Sequence, residues 1–227
     1  METLLAKISI MLVPALLAVT FHEVSHGYTA ERLGDPTARL LGRLTLNPAR
    51  HLDPIGTLAL LFFGFGWARP VPVNFSNLRN PRGDMIWVAL AGPITNFTLA
   101  AISAVVLRLL AASASFVDPL SLYGVMLEPL GLMAGFSLYI NVILGVFNLV
   151  PIPPLDGGRV LTGLLPAKPA QALARLEPFG FILVIFLVFF TDLWRLVLAP
   201  AISMLVSVLA GPQVTMVEKT IQFLLGR

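Results

Sequence analysis

The residues whose types and spacing could do chemistry lie in one heptapeptide, Phe21-His22-Glu23-Val24-Ser25-His26-Gly27, set within an apolar run. A bilayer makes every ionisable side chain expensive, so His22, Glu23 and His26 at membrane depth mark a functional site. On a helix, residues four apart lie about 40° apart around the axis and one turn up, which lets two imidazoles reach one ion. That is the zinc spacing. Glu23 does not share the bond direction of its neighbour, but it reaches a water beside the ion and suits the role of general base. The neighbouring Val19, Phe21 and Val24 offer no polar alternative. Without a metal, two histidines and a glutamate would be buried unpaired.

A catalytic zinc takes three protein donors and leaves one position open. The chain has no cysteine, so the third donor is a histidine or a carboxylate. The extended form of the motif is excluded because its third histidine would fall at Arg32. His51, Asp53 and Asp156 remain. His51 is the only other histidine, and its plainer reading is a loop residue beside Asp53-Pro54. Asp156 sits in Pro151-Ile152-Pro153-Pro154-Leu155-Asp156-Gly157-Gly158. Three prolines in four positions cannot continue a helix, and irregular backbone at membrane depth is tolerated only inside protein or along a wet cavity. A turn aspartate before two glycines is the plainer reading there. Spacing alone leaves the choice open.

The elements that must position these residues are membrane helices. With 57% hydrophobic and 12% charged residues and a mean hydropathy of +0.87, the chain is a polytopic membrane protein in composition. A first span is expected over 4–33, a second over 85–110, a third over 130–150 and a fourth over 179–198, the last interrupted at Thr191-Asp192. A short helix is expected from about Arg159. Residues 201–210 are apolar but short. The run that follows Lys7 continues into His22 and Glu23 with no small-residue cleavage site before them, which argues against a signal peptide. Between the first two spans, Arg43-Leu44-Thr45-Leu46 alternates with period two. The stretch 57–75 is short, apolar and broken by Gly64-Phe65-Gly66 and by prolines. These features predict a strand and a small membrane-associated β-hairpin or sheet. The expected fold is therefore all-α and polytopic, with four to five spanning helices and that hairpin after the first. It forms a single domain over 1–227, with a core over 4–165 and a C-terminal helical region over 166–227.

Seven arginines (32, 39, 43, 50, 69, 79 and 82) run from the end of the first span to the start of the second, and Arg159, Lys168 and Arg175 lie between the third and fourth. The loop over 113–125 has no basic residue. By the positive-inside rule the basic connections are cytoplasmic. His22, His26 and Asp156 then arrive at the same membrane level, near the cytoplasmic side of a multi-pass protein of the cell's inner, cytoplasmic membrane. The net charge of +3 reports topology, and nucleic acid is not an expected partner.

The combination of H-E-V-S-H on the first helix, N-P-A-R-H-L-D-P-I-G-T at 47–57, G-P-I-T-N at 92–96 and N-L-V-P-I-P-P-L-D-G-G-R at 148–159 resembles the site-2 protease family of intramembrane zinc metalloproteases. It is similar to the compact prokaryotic members without a PDZ domain, over about residues 15–165. The resemblance implies one Zn2+ per chain held by His22, His26 and Asp156, with Glu23 as catalytic base. It further implies that Asn148 binds the substrate strand and that Asn96 has a comparable role. The substrate class it implies is a transmembrane segment of a membrane-anchored regulator, or a remnant signal peptide. An unwound substrate segment would add as a strand to the edge of the expected sheet over 38–75. Two readings compete with the protease. A metal-ion transporter would line a path across both leaflets, whereas every candidate donor here lies on one side. An inactive metal-binding scaffold would not need Glu23 beside an open coordination position.

Overall fold

The computed structural model describes residues 2–63 and 66–225. Their architecture is helical. Helix α1 runs Glu2–Arg32, followed by the single turn α2, Thr37–Leu40, and by α3, Pro54–Phe63. Two long helices come next, α4 over Pro81–Ala114 and α5 over Leu122–Asn148. After the proline-rich segment come the short helices α6 (Asp156–Leu164), α7 (Ala167–Ala174) and α8 (Gly180–Phe190). The chain closes with α9 over Ala199–Ala210 and α10 over Val214–Leu225.

Among the described residues, four helical stretches are long and apolar enough to cross a bilayer: Leu4–Arg32, Pro81–Ala114, Leu122–Asn148 and Trp194–Leu224. A fifth span is available if Ala167–Phe179 and Ile182–Phe190, bent by 81°, count as one. The first three agree with the expected spans. The fourth differs, because the apolar run over 179–198 is not one helix. Thr191 adopts extended backbone at the end of α8, its hydroxyl donates to the Leu187 carbonyl, and it accepts the Leu193 N–H at 3.3 Å. A residue that caps the helix before it and opens the next divides the run there. Residues 201–210, ambiguous by length alone, belong to α9 within the fourth long stretch.

The β-hairpin expected after the first helix is not found. Among the described residues there is no strand, only one antiparallel bridge between Leu52 and Ala68, next to an Arg69 N–H to His51 carbonyl bond of 2.8 Å. Gly64 and Phe65, the expected tip, lie outside the described residues. The physical reason is at hand in the sequence. Pro48, Pro54, Pro70 and Pro72 remove N–H groups that a ladder needs, and the apolar run after Asp53 satisfies its backbone within α3 instead. Residues 43–47 are irregular, and Asn47 caps the 3-10 turn Pro48–Arg50 by accepting the Ala49 N–H at 3.1 Å.

The chain divides into two compact units. One comprises Met1–Ala18, Asn96–Leu144 and Arg195–Arg227. Its core joins Ile10, Leu132 and Phe136 to Ala15, Ile140 and Phe223. Polar side chains tie its helices: Asn96 Nδ2 donates to Asn141 Oδ1 at 2.8 Å and to the Ala18 carbonyl at 3.3 Å, and Ser103 Oγ donates to Ser137 Oγ at 2.8 Å. Such bonds serve as glue where the lipid supplies no hydrophobic drive between helices.

The other unit comprises Val19–Thr95 and Gly145–Trp194. Here Ala30, Leu78 and Val88 pack with Leu33, Val73 and Phe75. Asp35, fully buried, organises the turn after α1. Its carboxylate accepts the Asn74 N–H at 2.7 Å, Asn77 Nδ2 at 2.8 Å, the Thr37 N–H at 3.2 Å and the Thr37 hydroxyl. Burial pushes the Asp35 carboxyl up, but these donors outweigh it and hold the group below the usual carboxylate range.

Candidate metal centre

The second unit contains the whole H-E-V-S-H motif and Asp156. His22 and His26 lie one turn apart on α1 and are both buried, as is Asp156. His26 Nε2 is 3.1 Å from His22 Nε2, and Asp156 Oδ2 is 3.2 Å from the first imidazole and 3.3 Å from the second. Three donor atoms thus form a nearly equilateral triangle. A tetrahedral zinc with donors about 2.0–2.1 Å away places them roughly 3.3–3.4 Å apart. The observed triangle fits one face of that tetrahedron, leaving the fourth vertex for water. Asp156 Oδ2 is buried without a hydrogen-bond donor, which is costly for a carboxylate unless a cation completes it. The donor set of two imidazoles and one carboxylate is chemically a zinc set.

Each donor is aimed by its surroundings. His26 Nδ1 lies 2.7 Å from the Val88 carbonyl on α4. A carbonyl accepts only, so this contact puts the ring proton on Nδ1 and leaves the Nε2 lone pair facing the triangle. Asp156 opens α6 at the end of the irregular segment 149–155. Gly157 and Gly158 let that first turn lie directly on the preceding backbone. A Cβ on Gly157 would meet the backbone of Leu149 and Val150, and one on Gly158 that of Ile152 and Pro153. The pair therefore folds the segment back tightly enough to present Asp156 to α1.

Gly92 of α4 approaches the imidazoles themselves. A Cβ there would lie 2.5 Å from His22 Cε1, 2.5 Å from His26 Nε2 and 2.6 Å from His22 Nε2. In the sequence, Gly92 stands out only as part of G-P-I-T-N at 92–96. Its position as the floor of the site comes from the tertiary fold.

Glu23 is half-buried beside His22, and its Oε2 accepts the Val71 N–H at 2.8 Å. Val71 sits between Pro70 and Pro72, so it supplies the only N–H of that tripeptide. The bond anchors one carboxylate oxygen of Glu23. No sequence pattern announces this contact, which joins residues 48 apart.

The other two candidates for third donor have structural duties. Asp53 accepts the Gly56 N–H at 2.7 Å and caps α3. His51 is buried, with Nε2 2.8 Å from the Thr45 carbonyl, and neither belongs to the cluster formed by His22, His26 and Asp156. Asn148, half-buried, ends α5 and leads into the proline segment. Asn96 falls in the first unit, fully buried. Its amide is spent on Asn141 and Ala18, a bridging arrangement with no surface offered to a substrate.

Comparison with known proteins agrees with this geometry. The model for peptidase family M50 matches residues 119–190, the stretch that contains Asn148 and Asp156. The chain is 41% identical over 196 residues to "Putative zinc metalloprotease YwhC" of Bacillus subtilis (strain 168), covering 85% of each chain. It is 34% identical over 182 residues to "Putative zinc metalloprotease Rip2" of Mycobacterium tuberculosis (strain ATCC 25618 / H37Rv), covering 76% of this chain and 64% of the relative. Similarity extends to "Zinc metalloprotease MJ0392" of Methanocaldococcus jannaschii, at 24% identity over 160 residues, 70% of this chain and 35% of the relative. No solved structure matches. Identity of 41% over 85% of each chain, together with the family model over the stretch that holds Asp156, makes the chain a member of peptidase family M50, the site-2 proteases.

Proposed function

We propose that the protein is an intramembrane zinc endopeptidase that cuts within or near transmembrane segments of membrane-anchored regulatory proteins or remnant signal peptides. The observation that carries this reading is the buried triangle of His22 Nε2, His26 Nε2 and Asp156 Oδ2 with Glu23 adjacent. His22, His26 and Asp156 are the metal donors, and Glu23 is the general base. Bound there, zinc supplies Lewis-acid chemistry, acidifying water and polarising the scissile carbonyl.

The remaining chemistry belongs to the chain. Glu23 takes a proton from the attacking water and returns it to the leaving amine. The Val71 N–H restrains one of its oxygens, so the other is oriented for proton transfer. His26 keeps its acceptor nitrogen directed inward through its bond to Val88. A transmembrane substrate hides its peptide bonds within its own helix and must unwind before cleavage. Asn148, with both donor and acceptor groups on its amide, holds the unwound backbone. The arginine-rich connections support a site near the cytoplasmic side of the inner membrane. The whole chain acts as one protease domain.

The test uses purified protein in detergent, comparing wild type with Glu23→Gln for zinc content and for cleavage of model transmembrane peptides. One zinc per chain in both, with cleavage reduced about 10²–10⁴-fold in the variant and abolished by a chelator in the wild type, is the expected result. Zinc without cleavage by either protein favours the scaffold reading. Zinc flux into vesicles without cleavage favours the transporter. Folded protein that takes up no zinc refutes the assignment.

A further inference from the structure

A second site lies in the connection between α1 and α4. It is an open pocket of about 420 Å³, whose lining includes Arg43, Arg50 and Arg69 together with Leu41, Pro70 and Pro72, and no carboxylate. Among the described residues none of these three arginines forms an ion pair. Arg43 uses one terminal nitrogen to brace the Arg69 and Pro70 carbonyls at 2.9 and 3.2 Å, while its Nε is buried without a partner. Burial, together with the Arg69 and Arg50 charges, lowers the Arg43 pKa against a smaller opposing pull from Glu23. Three cations gathered around one pocket whose lining holds no carboxylate cost free energy that a bound anion returns.

The chemistry of the lining narrows the anion. Guanidinium groups are planar forks suited to phosphate oxygens. Three of them, arriving from separate segments, ask for more acceptor atoms than a carboxylate presents. The rim indicates the source. Leu41, which lines the pocket, is 61% exposed, so an apolar side chain lies beside the basic groups in a connection between two spanning helices. An acyl chain against Leu41 and the proline rings and a phosphate among the arginines satisfies both surfaces. We propose that Arg43, Arg50 and Arg69 form a phosphate-binding site that takes the headgroup of an anionic phospholipid.

The site touches the catalytic machinery through a short strap. Pro70 and Pro72 line the pocket, and Val71 between them anchors Glu23.

The test uses the full chain in detergent. Binding of dihexanoyl phosphatidylglycerol, dihexanoyl phosphatidylcholine, inorganic phosphate and a model substrate peptide is measured by native mass spectrometry and by competition. The double variant Arg50→Gln/Arg69→Gln is compared with Arg79→Gln, which removes one exposed cation outside the pocket; zinc content and melting temperature verify the fold. Phosphatidylglycerol should bind in preference to phosphatidylcholine. Its affinity should fall about 30-fold in the double variant, from two lost cationic contacts, and by less than about two-fold in Arg79→Gln. Competition by millimolar inorganic phosphate, lost in the same double variant, would assign the source as free phosphate and uphold the site. Equal binding of both lipids, or a double variant no weaker than Arg79→Gln, would overturn it. So would loss of substrate-peptide binding with phosphatidylglycerol binding unchanged, which would make the pocket a docking site for acidic substrate residues.

Discussion

Gly92→Ala adds one methyl group to the protein and is expected to remove the metal. The new Cβ would stand 2.5–2.6 Å from atoms of both imidazoles. Carbon atoms in comfortable contact are about 3.5–4.0 Å apart, so each ring must withdraw by roughly 1 Å. His26 cannot do so freely, because its Nδ1 is bonded to the Val88 carbonyl one turn earlier on the same helix. Metal donors tolerate only about ±0.2 Å, so the displacement exceeds the tolerance roughly five-fold. Zinc affinity should fall by about 100-fold or more, the upper range seen when a metal site's supporting groups are lost. The helix itself points the other way: alanine in a helix interior is favoured over glycine by about 0.5–1 kcal/mol. A general collapse is therefore not expected, and the defect should be confined to the metal. The assay is competition against a chromophoric chelator on purified wild type and variant, alongside circular dichroism and cleavage of a model transmembrane peptide. A folded Gly92→Ala protein with wild-type zinc affinity would refute the placement of α4 against the donors.

Three other perturbations test separate parts of the same geometry. Val71→Pro deletes the N–H that holds Glu23, and it should lower kcat by about 10–100-fold, the worth of a hydrogen bond to a charged group; zinc content should stay near one per chain. Val71→Ala keeps that N–H and should retain most activity, so equal losses in the two variants would remove Val71 from the positioning of the base. Asp156→Asn preserves shape but removes the charge opposite the imidazoles, and metal content after dialysis against a weak chelator should drop well below one per chain. Asp35 provides the pH test: its carboxyl titrates below its ordinary value of 3.8 in the folded state, so its stabilising contribution is complete above that value and is lost as pH falls through the lower, folded one. Wild-type melting temperature should decline below about pH 4 more steeply than that of Asp35→Asn, which should itself be about 1–3 kcal/mol less stable at pH 7. Identical slopes would contradict the buried network around Asp35.

The parts of the site that were legible in the sequence depend on local geometry. His22 and His26 share a helix, so a spacing of four specifies their approach whatever else the fold does, and Glu23 follows from adjacency. Asp156 is a different case. It is 130 residues beyond His26, and spacing left it level with His51 and Asp53 until the resemblance distinguished it. In the structure Asp156 lies beside the two imidazoles, while Asp53 caps α3 and His51 bonds the Thr45 carbonyl. The long spans were legible for a related reason, since hydropathy over some twenty residues needs no tertiary information. The division at Thr191 was visible as an interruption, although its consequence, a fourth span beginning at Trp194, depends on a side chain capping its own helix.

The hairpin failed instructively. Period-two alternation in Arg43-Leu44-Thr45-Leu46 records which side chains face apolar surroundings, and an irregular segment pinned at several points produces the same record. Here the pins are tertiary: Arg43 braces the carbonyls of Arg69 and Pro70, and His51 donates from Nε2 to the Thr45 carbonyl and accepts the Arg69 N–H at its backbone carbonyl. These bonds do what a ladder would have done, joining the segment near Thr45 to the one near Arg69, but they use side chains where prolines have removed backbone donors. The same substitution explains why the strap beside Glu23 has a single N–H. A paired strand would have spent the Val71 N–H on a neighbouring strand, whereas two flanking prolines isolate it for the Glu23 carboxylate.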